Sequence, residues 1–210
     1  MLLGNDVEAE LQEFVDKCRR TVSVRRHKLA YRYKSLPDAP GWTLIGTGHF
    51  GEAWIHADHP ALVLKISGPA GWGGGFRAYD EDIGVTHYDA WPIYARYCMQ
   101  NPGRHLPKIY HLEQVSRGIA WGVLPRYDEG NTSTGDAARR ALCDGSHGLA
   151  EVRQMRDAMG LSVDVHDGNV MVCPETGDWI LTDPFSFQDR DEDTDPFWWH
   201  DPTSYDEDES

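Results

Sequence analysis

The chain has 210 residues and a formal net charge of −14, which leaves room for one domain or a small pair of lobes and excludes a large multi-domain enzyme. Apolar residues make up 40%, with 8 Trp, 9 Tyr and 6 Phe, enough to form a core and to exclude global disorder. No apolar run reaches the roughly 18 to 20 residues of a membrane span, and the start, MLLGNDVEAE, lacks the basic and then apolar pattern of a signal peptide.

Residues 6–20 read as an amphipathic helix. Val7, Leu11, Phe14, Val15 and Cys18 share one face at helical spacing, and Asn5 or Asp6 can cap it. Residues 17–34 hold eight Lys/Arg and no acid; such a run reads as a solvated face, with a partner or phosphate surface as the other use. From Trp42 the pattern shortens to strands at Trp42–Ile45, Ala53–Ile55 and Leu62–Ile66. The glycine density of residues 67–84 reads as a loop. Residues 89–100 look helical, and Pro92 sets the start near Ala90 or Trp91. Strands follow at Lys108–Glu113 and Ile119–Leu124 around a Ser-Arg-Gly turn. Asp136–Met159 is helical with a break near Gly145–Gly148. Val170–Val172 and Trp179–Thr182 are short strands joined by Pro-Glu-Thr-Gly-Asp.

This order predicts an α+β chain in two lobes. Residues 1–41 hold the first helix and the basic stretch. Residues 42–127 form an antiparallel five-stranded lobe. Residues 128–187 form a reduced helical lobe, and 188–210 an acidic tail. From 189 on, ten Asp/Glu face one Arg, so the tail carries −9 of the net charge. Direct nucleic-acid binding is therefore disfavoured. Phe197-Trp-Trp199 is too apolar for such a segment and is expected to dock on the helical lobe. The four cysteines (18, 98, 143 and 173) form no CxxC pair, so neither a disulfide framework nor structural zinc is expected, and a reducing cytosol is the default.

Three segments carry chemistry. Gly46-Thr-Gly48-His49-Phe50-Gly51 lies between two strands, and glycines let a backbone turn offer its N–H groups to phosphates. The Rossmann form of such a loop needs a helix directly after it; here Glu-Ala-Trp-Ile continues as strand. An ordinary glycine-rich hairpin would show the same composition. In Leu62-Val-Leu-Lys-Ile66, alternation puts Leu62, Leu64 and Ile66 on one face and Val63 with Lys65 on the other. A lysine in an apolar strand needs an anionic partner, unless it snorkels from an edge. Asp164 and Asn169 stand five apart in Asp-Val-His-Asp-Gly-Asn, and Asp183 ends a strand fourteen residues later. Carboxylate and amide oxygens suit Mg²⁺, and one carboxylate must stay free of metal to receive a hydroxyl proton. Asp and Asn also serve as turn residues.

The order of glycine-rich loop, Val-Leu-Lys, Asp-x-x-x-x-Asn and strand-end Asp resembles that of protein-kinase-like enzymes. DVHDGN with TDPF looks like the atypical branch, which includes aminoglycoside phosphotransferases. GTGHFGEAW, LVLKIS, LPKIYHLE, SVDVHDGNVM and ILTDPFSF resemble the early Ser/Thr protein kinases of T-seven-type podophages (Autographiviridae), over roughly residues 42–187. The resemblance implies a compact two-lobed kinase-like fold that uses ATP and Mg²⁺. It places Gly46, Gly48, His49, Phe50 and Gly51 over the nucleotide phosphates and Lys65 on the α and β phosphates. It puts Asp164 at the attacking hydroxyl, Asn169 and Asp183 on the metal, and Leu124 to Tyr127 at an adenine-binding hinge. His166 stands where many protein kinases have a phosphate-contacting lysine. Ser162 replaces the histidine two residues before the catalytic Asp, and proline follows Asp183. No Glu clearly pairs with Lys65; Asp89 is the first candidate by position, with Glu81 and Asp82 behind it.

The implied function is a phage-encoded Ser/Thr protein kinase acting in the cytoplasm of the infected bacterium. Its substrates would be host proteins, RNA polymerase or other host factors, and it would modulate transcription or defence. Thr194, Thr203, Ser204 and Ser210 are then candidate autophosphorylation sites. A small-molecule kinase of the aminoglycoside type is one alternative. A non-catalytic pseudokinase or acidic inhibitor of a host enzyme is another.

Overall fold

The computed structural model describes residues 5–29, 40–47, 51–67, 77–80, 85–116 and 119–189. Residues 30–39, which include the end of the basic stretch, lie outside these, as do Gly48, His49, Phe50, Glu81, Asp82 and the tail from Arg190, with its Phe197–Trp199 cluster and its four candidate phosphorylation sites. The elements in chain order begin with α1 (Asn5–Leu29), β1 (Trp42–Thr47), β2 (Gly51–His56), β3 (His59–Ser67), β4 (Arg77–Asp80) and β5 (Val85–Asp89). There follow α2 (Trp91–Gln100), β6 (His111–Ser116), β7 (Ile119–Pro125), β8 (Asp128–Glu129), α3 (Thr132–Asp144) and α4 (Ala150–Met159). The chain continues through β9 (Leu161–Val163), a 3-10 turn (Asp167–Asn169), β10 (Val170–Val172), β11 (Trp179–Leu181) and β12 (Phe185–Asp189).

The expected five-stranded sheet is present. It runs β1-β2-β3-β7-β6 with every neighbour antiparallel. Alternation along β3 sorts its side chains as expected. Leu64 and Ile66 are buried on the face that α1 covers, with Trp54, Trp121 and Val123 from the neighbouring strands. From α1, Phe14, Val15, Cys18 and Val22 enter this core, while Val7 at the start of the stripe stays 48% exposed. The helix runs past residue 20 because Val22 extends the apolar face by another turn, and burial sets in only from Leu11.

A second core gathers Trp91, Tyr94, Ala95 and Cys98 of α2, Ala138, Ala141 and Leu142 of α3, and Val152 of α4. Ala90, Leu106, Ile109, Leu124 and Leu149 belong to it too, and so do Leu161, Val165, Val170, Leu181 and Phe185. These last five come from the short strands and turns that carry the candidate site, so the site is built on packed positions. Burial in this core pushes the Tyr94 hydroxyl well above the usual phenol range; that hydroxyl donates to the Leu181 carbonyl at 2.7 Å.

Several expectations need correction. Residues 67–84 are not all loop: β4 pairs with β5, and β5 pairs with β12 in a second sheet of order β4-β5-β12-β9. The partner of β5 lies about a hundred residues downstream, and a pairing that distant leaves no local pattern. Asp89 consequently ends a strand, opposite Ser186, and is not part of a helix. Helix α2 starts at Trp91 with Pro92 in its first turn, where a missing N–H costs nothing. The strand expected from Lys108 begins at His111, because the Lys108 N–H is spent on the Tyr127 hydroxyl and only at Tyr110 does the backbone bond to Val123. Helix α3 begins four residues before Asp136, where Asn131 and Thr134 form a reciprocal capping box. The break in the helical stretch falls where the glycines indicated: Gly145 closes α3 in the left-handed region at φ 72°. The hairpin of β10 and β11 forms as read, and β8 adds a third strand to it. All four cysteines are free thiols, and among the described residues no helix is long and apolar enough to cross a membrane.

The docking of α1 is testable. Phe14 is fully buried in the α1 face of the sheet, so Phe14→Ala is expected to lower unfolding stability by about 3 kcal/mol. Urea denaturation followed by tryptophan fluorescence measures this; an unchanged midpoint would mean that α1 lies outside the cooperative core.

Candidate functional site

Lys65 sits in the middle of β3, opposite Ala53 of β2 and Gly122 of β7. Its side chain is 18% exposed, and its Nζ lies 2.6 Å from Oδ2 of Asp183, 118 residues away. The same ammonium stands over the buried indole of Trp91, 4.8 Å from the ring centroid, a favourable cation–π distance. Small residues on both flanking strands make this possible. A Cβ at Gly122 would come within 2.9 Å of the Trp91 ring and 2.8 Å of the His111 carbonyl. The ring that floors the lysine therefore requires glycine next to it. The carboxylate that meets Lys65 is Asp183, which the motif reading had assigned to metal. Asp89 is in a strand, and Glu81 and Asp82 lie outside the described residues.

Asp183 is held from below by backbone. The Asn169 carbonyl accepts from the Thr182 N–H and the Thr182 hydroxyl, both at 2.9 Å, and from the Asp183 N–H at 3.4 Å. The side-chain amide of Asn169 donates to the Asp164 carbonyl at 2.7 Å, and the Asp164 N–H donates to the Pro184 carbonyl at 2.7 Å. Asn169 is thus the knot between the two loops: its backbone ties down the strand end of Asp183 and its side chain ties down Asp164. The pairing of β9 with β12, Val163 opposite Phe185, brings Asp164 and Pro184 side by side.

The Asp164 carboxylate is about half exposed, and His166 Nε2 lies 3.9 Å from its Oδ1. His166 Nδ1 accepts from the Gly168 N–H at 3.1 Å and so caps the 3-10 turn. From helix α3, Arg139 donates through Nε and Nη2 to the Val165 carbonyl at 3.2 and 2.5 Å. Thr132, the first residue of α3, donates its hydroxyl to Asp167 at 3.0 Å.

The structure links Lys65, Asp183, Asn169 and Asp164 through one run of hydrogen bonds, with His166 beside Asp164. Gly46 lies at a bulge of β1 opposite Ala53, the residue that pairs with Lys65. Gly51 starts β2 opposite Ser67, and a Cβ there would stand 2.7 Å from the Ile66 carbonyl. Leu124 has its side chain in the second core. The hydroxyl of Tyr127 accepts the Lys108 N–H, and burial pushes its pKa up to about 12. Sequence reasoning missed Trp91, Gly122, Arg139, Thr132 and Asp167. Gly122 carried a usable signal, since glycine inside a strand marks a close approach. Nothing in the local pattern marks Arg139.

No protein-family model matches the chain, and no curated protein matches it. Among solved structures it is similar to one titled "PpkA-294 apo form", with a TM-score of 0.35 and 13% identity over 73% of this chain. The match spans 59% of that structure's own length. A likeness of that strength leaves function to be reasoned from the site.

The Lys65–Asp183 pair is partly buried, so removing one partner leaves the other charge poorly solvated. Lys65→Met and Asp183→Asn are each expected to destabilise by about 1–3 kcal/mol, and the double variant by less than their sum, with a coupling of about 1 kcal/mol. Additive losses in a denaturation cycle would show the pair to be energetically idle. Gly122→Ala is expected to cost about 1–3 kcal/mol by overpacking against Trp91, read as a lowered melting temperature.

Proposed function

We propose that the chain is an ATP-dependent protein serine/threonine kinase, a phosphotransferase that passes the ATP γ-phosphate to hydroxyls of other proteins. The observation that carries this reading is the contact of Lys65 with Asp183 at 2.6 Å, on top of a loop that presents Asp164 and Asn169. A fixed cation, a proton-accepting carboxylate and a pair of oxygen donors are what phosphoryl transfer needs, because its catalysis is mostly positioning and charge neutralisation.

ATP and Mg²⁺ are the cofactors this chemistry implies. Among the described residues no cluster of three or more His, Cys, Asp or Glu is placed to hold a metal by itself. The oxygen donors at the site are the Asp183 carboxylate and the Asn169 amide, whose nitrogen is engaged on the Asp164 carbonyl and whose oxygen is the part left to ligate. One carboxylate and one amide oxygen fit Mg²⁺, which keeps several waters and takes phosphate oxygens as further ligands. Asn169 and Asp183 would hold it, and it would supply neutralisation of the charge on the transferring phosphate.

The chain's own residues divide the remaining work. Lys65 places a positive charge, on a stem fixed by β3 and Trp91, against the nucleotide phosphates. The glycines at positions 46 and 51 would let the backbone approach those phosphates, the role the motif resemblance also gives to Gly48. Asp164 orients the acceptor hydroxyl and takes its proton, and its half-exposed carboxylate is open to an incoming side chain. His166 stands beside it, its Nε2 3.9 Å from Oδ1 of Asp164. Phage origin, host proteins as substrates (RNA polymerase or other host factors), action in the infected bacterial cytoplasm and an effect on transcription or defence rest on the motif resemblance.

Incubation with labelled ATP, Mg²⁺ and bacterial lysate tests the reading. Label on lysate proteins is the expected result; transfer only to a small cationic acceptor would favour the small-molecule kinase, and no transfer the non-catalytic reading. Asp164→Asn keeps shape and leaves Asn169 and Asp183 in place. It is expected to bind Mg-ATP nearly as the wild type does and to lose transfer by about 10²-fold or more. Wild-type rates in that variant would sink the assignment of the 164–169 loop.

A further inference from the structure

We infer that Arg139 is a positioning residue for Asp164: its guanidinium grips the Val165 carbonyl and so sets where the Asp164 carboxylate stands for the incoming hydroxyl. The inference rests on the phosphotransfer reading and extends it at the same site.

The peptide that follows Asp164 is held from two sides. The Val165 side chain is 5% exposed and shares the second core with Ala138, Ala141 and Leu142 of α3. Its carbonyl, on the other side, receives both Nε and Nη2 of Arg139. Two donors of one rigid, planar fork constrain an oxygen in direction as well as distance. The backbone of Asp164 is already engaged at both ends, its N–H on Pro184 and its carbonyl on the Asn169 amide. With Arg139 on the next carbonyl, three backbone groups around the carboxylate are fixed.

Helix α3 reinforces the grip further along the loop. Thr132 donates to Asp167 Oδ2, and a Cβ at Gly135 would stand 2.8 Å from Asp167 Oδ1. One helix thus touches the loop at Thr132, Gly135 and Arg139, along successive turns of a single face. Such support matters because a misplacement of about 1 Å in a reacting group can cost about 10²-fold in rate. Arg139 itself is exposed, so replacing it opens no cavity in the core and the variant is expected to fold.

The test compares Arg139→Met, Arg139→Lys and Arg140→Met in the full chain, with Mg-ATP varied and label counted on lysate protein. Arg139→Met keeps an apolar stem and removes the donors. It is expected to lower kcat about tenfold, with KM for ATP and melting temperature unchanged. Arg139→Lys restores one donor and is expected to recover part of the rate. Arg140→Met removes the same charge one residue along the helix and is expected to behave as wild type. Wild-type kcat in Arg139→Met overturns the inference and leaves the kinase reading standing. So does an equal loss in Arg140→Met, which would point to bulk charge. A joint fall of kcat, ATP affinity and melting temperature would make Arg139 a structural residue and likewise overturn it. Absence of transfer in the wild type would overturn the kinase reading and this inference together.

Discussion

Lys65 stands between Leu64 and Ile66, both buried beneath α1, and its ammonium emerges on the opposite face of the same sheet. Removing an ammonium from water costs several kcal/mol, even after relaxation, unless an anion meets it. Much of the neighbouring structure answers that cost. Ala53 and Gly122 keep the flanking strands low beside it, Trp91 brings its π face beneath it, and Asp183 arrives from the far end of the chain to neutralise it. The glycine at 122 is explained by its neighbours, since any Cβ there would strike both the indole and the His111 carbonyl of β6.

Asp183 can serve only if its loop is stiff, and the stiffness comes mainly from backbone. The carbonyl of Asn169 takes three donors from Thr182 and Asp183, while the pairing of β9 with β12 sets Asp164 beside Pro184. The side chains left over at this junction, those of Asp164, His166 and Asp183, are partly exposed. Val165, Val170, Leu181 and Phe185 between them are buried in the second core. Polar groups out and apolar groups in, over very short strands, place reactive residues on rigid elements rather than on a free loop.

Much of this was legible in the sequence where the signal is local. Alternation in β3 put Lys65 and Leu64 on opposite faces, the glycines near 145 broke the helical stretch, and Pro92 marked the start of α2. The spacing of Asp164, Asn169 and Asp183 singled out the two loops that Asn169 ties together. What escaped was non-local. Strand β4 shows only Arg-Ala-Tyr-Asp, a segment that becomes a strand through β5, which is itself paired with β12 from the end of the described chain. The same distance hides the end of β5: residue 89, read as the start of a helix, closes a strand opposite Ser186. Arg139 carries no local signal either, since the carbonyl it grips is brought to it by the fold from 26 residues away.

On the proposed reading, the pairing of Lys65 with Asp183 also describes how the site accommodates charge before nucleotide arrives. A nucleotide brings anionic phosphates and its Mg²⁺ together. The phosphates suit the ammonium, and the cation suits the carboxylate and the amide oxygen of Asn169. Binding would then exchange partners and leave neither Lys65 nor Asp183 as an isolated, partly buried charge. The exchange needs Lys65 to keep its place while its carboxylate turns to another cation, and the Trp91 ring, packed in the second core, lies under the ammonium independently of Asp183. Asp164 stands outside this exchange: its own backbone, the Asn169 amide and the Arg139 grip on Val165 hold it whichever partner Asp183 has. On that reading, the separation of a charge-exchanging pair from a fixed acceptor carboxylate, on two loops joined at Asn169, would let the site bind a polyanion without disturbing the group that meets the hydroxyl.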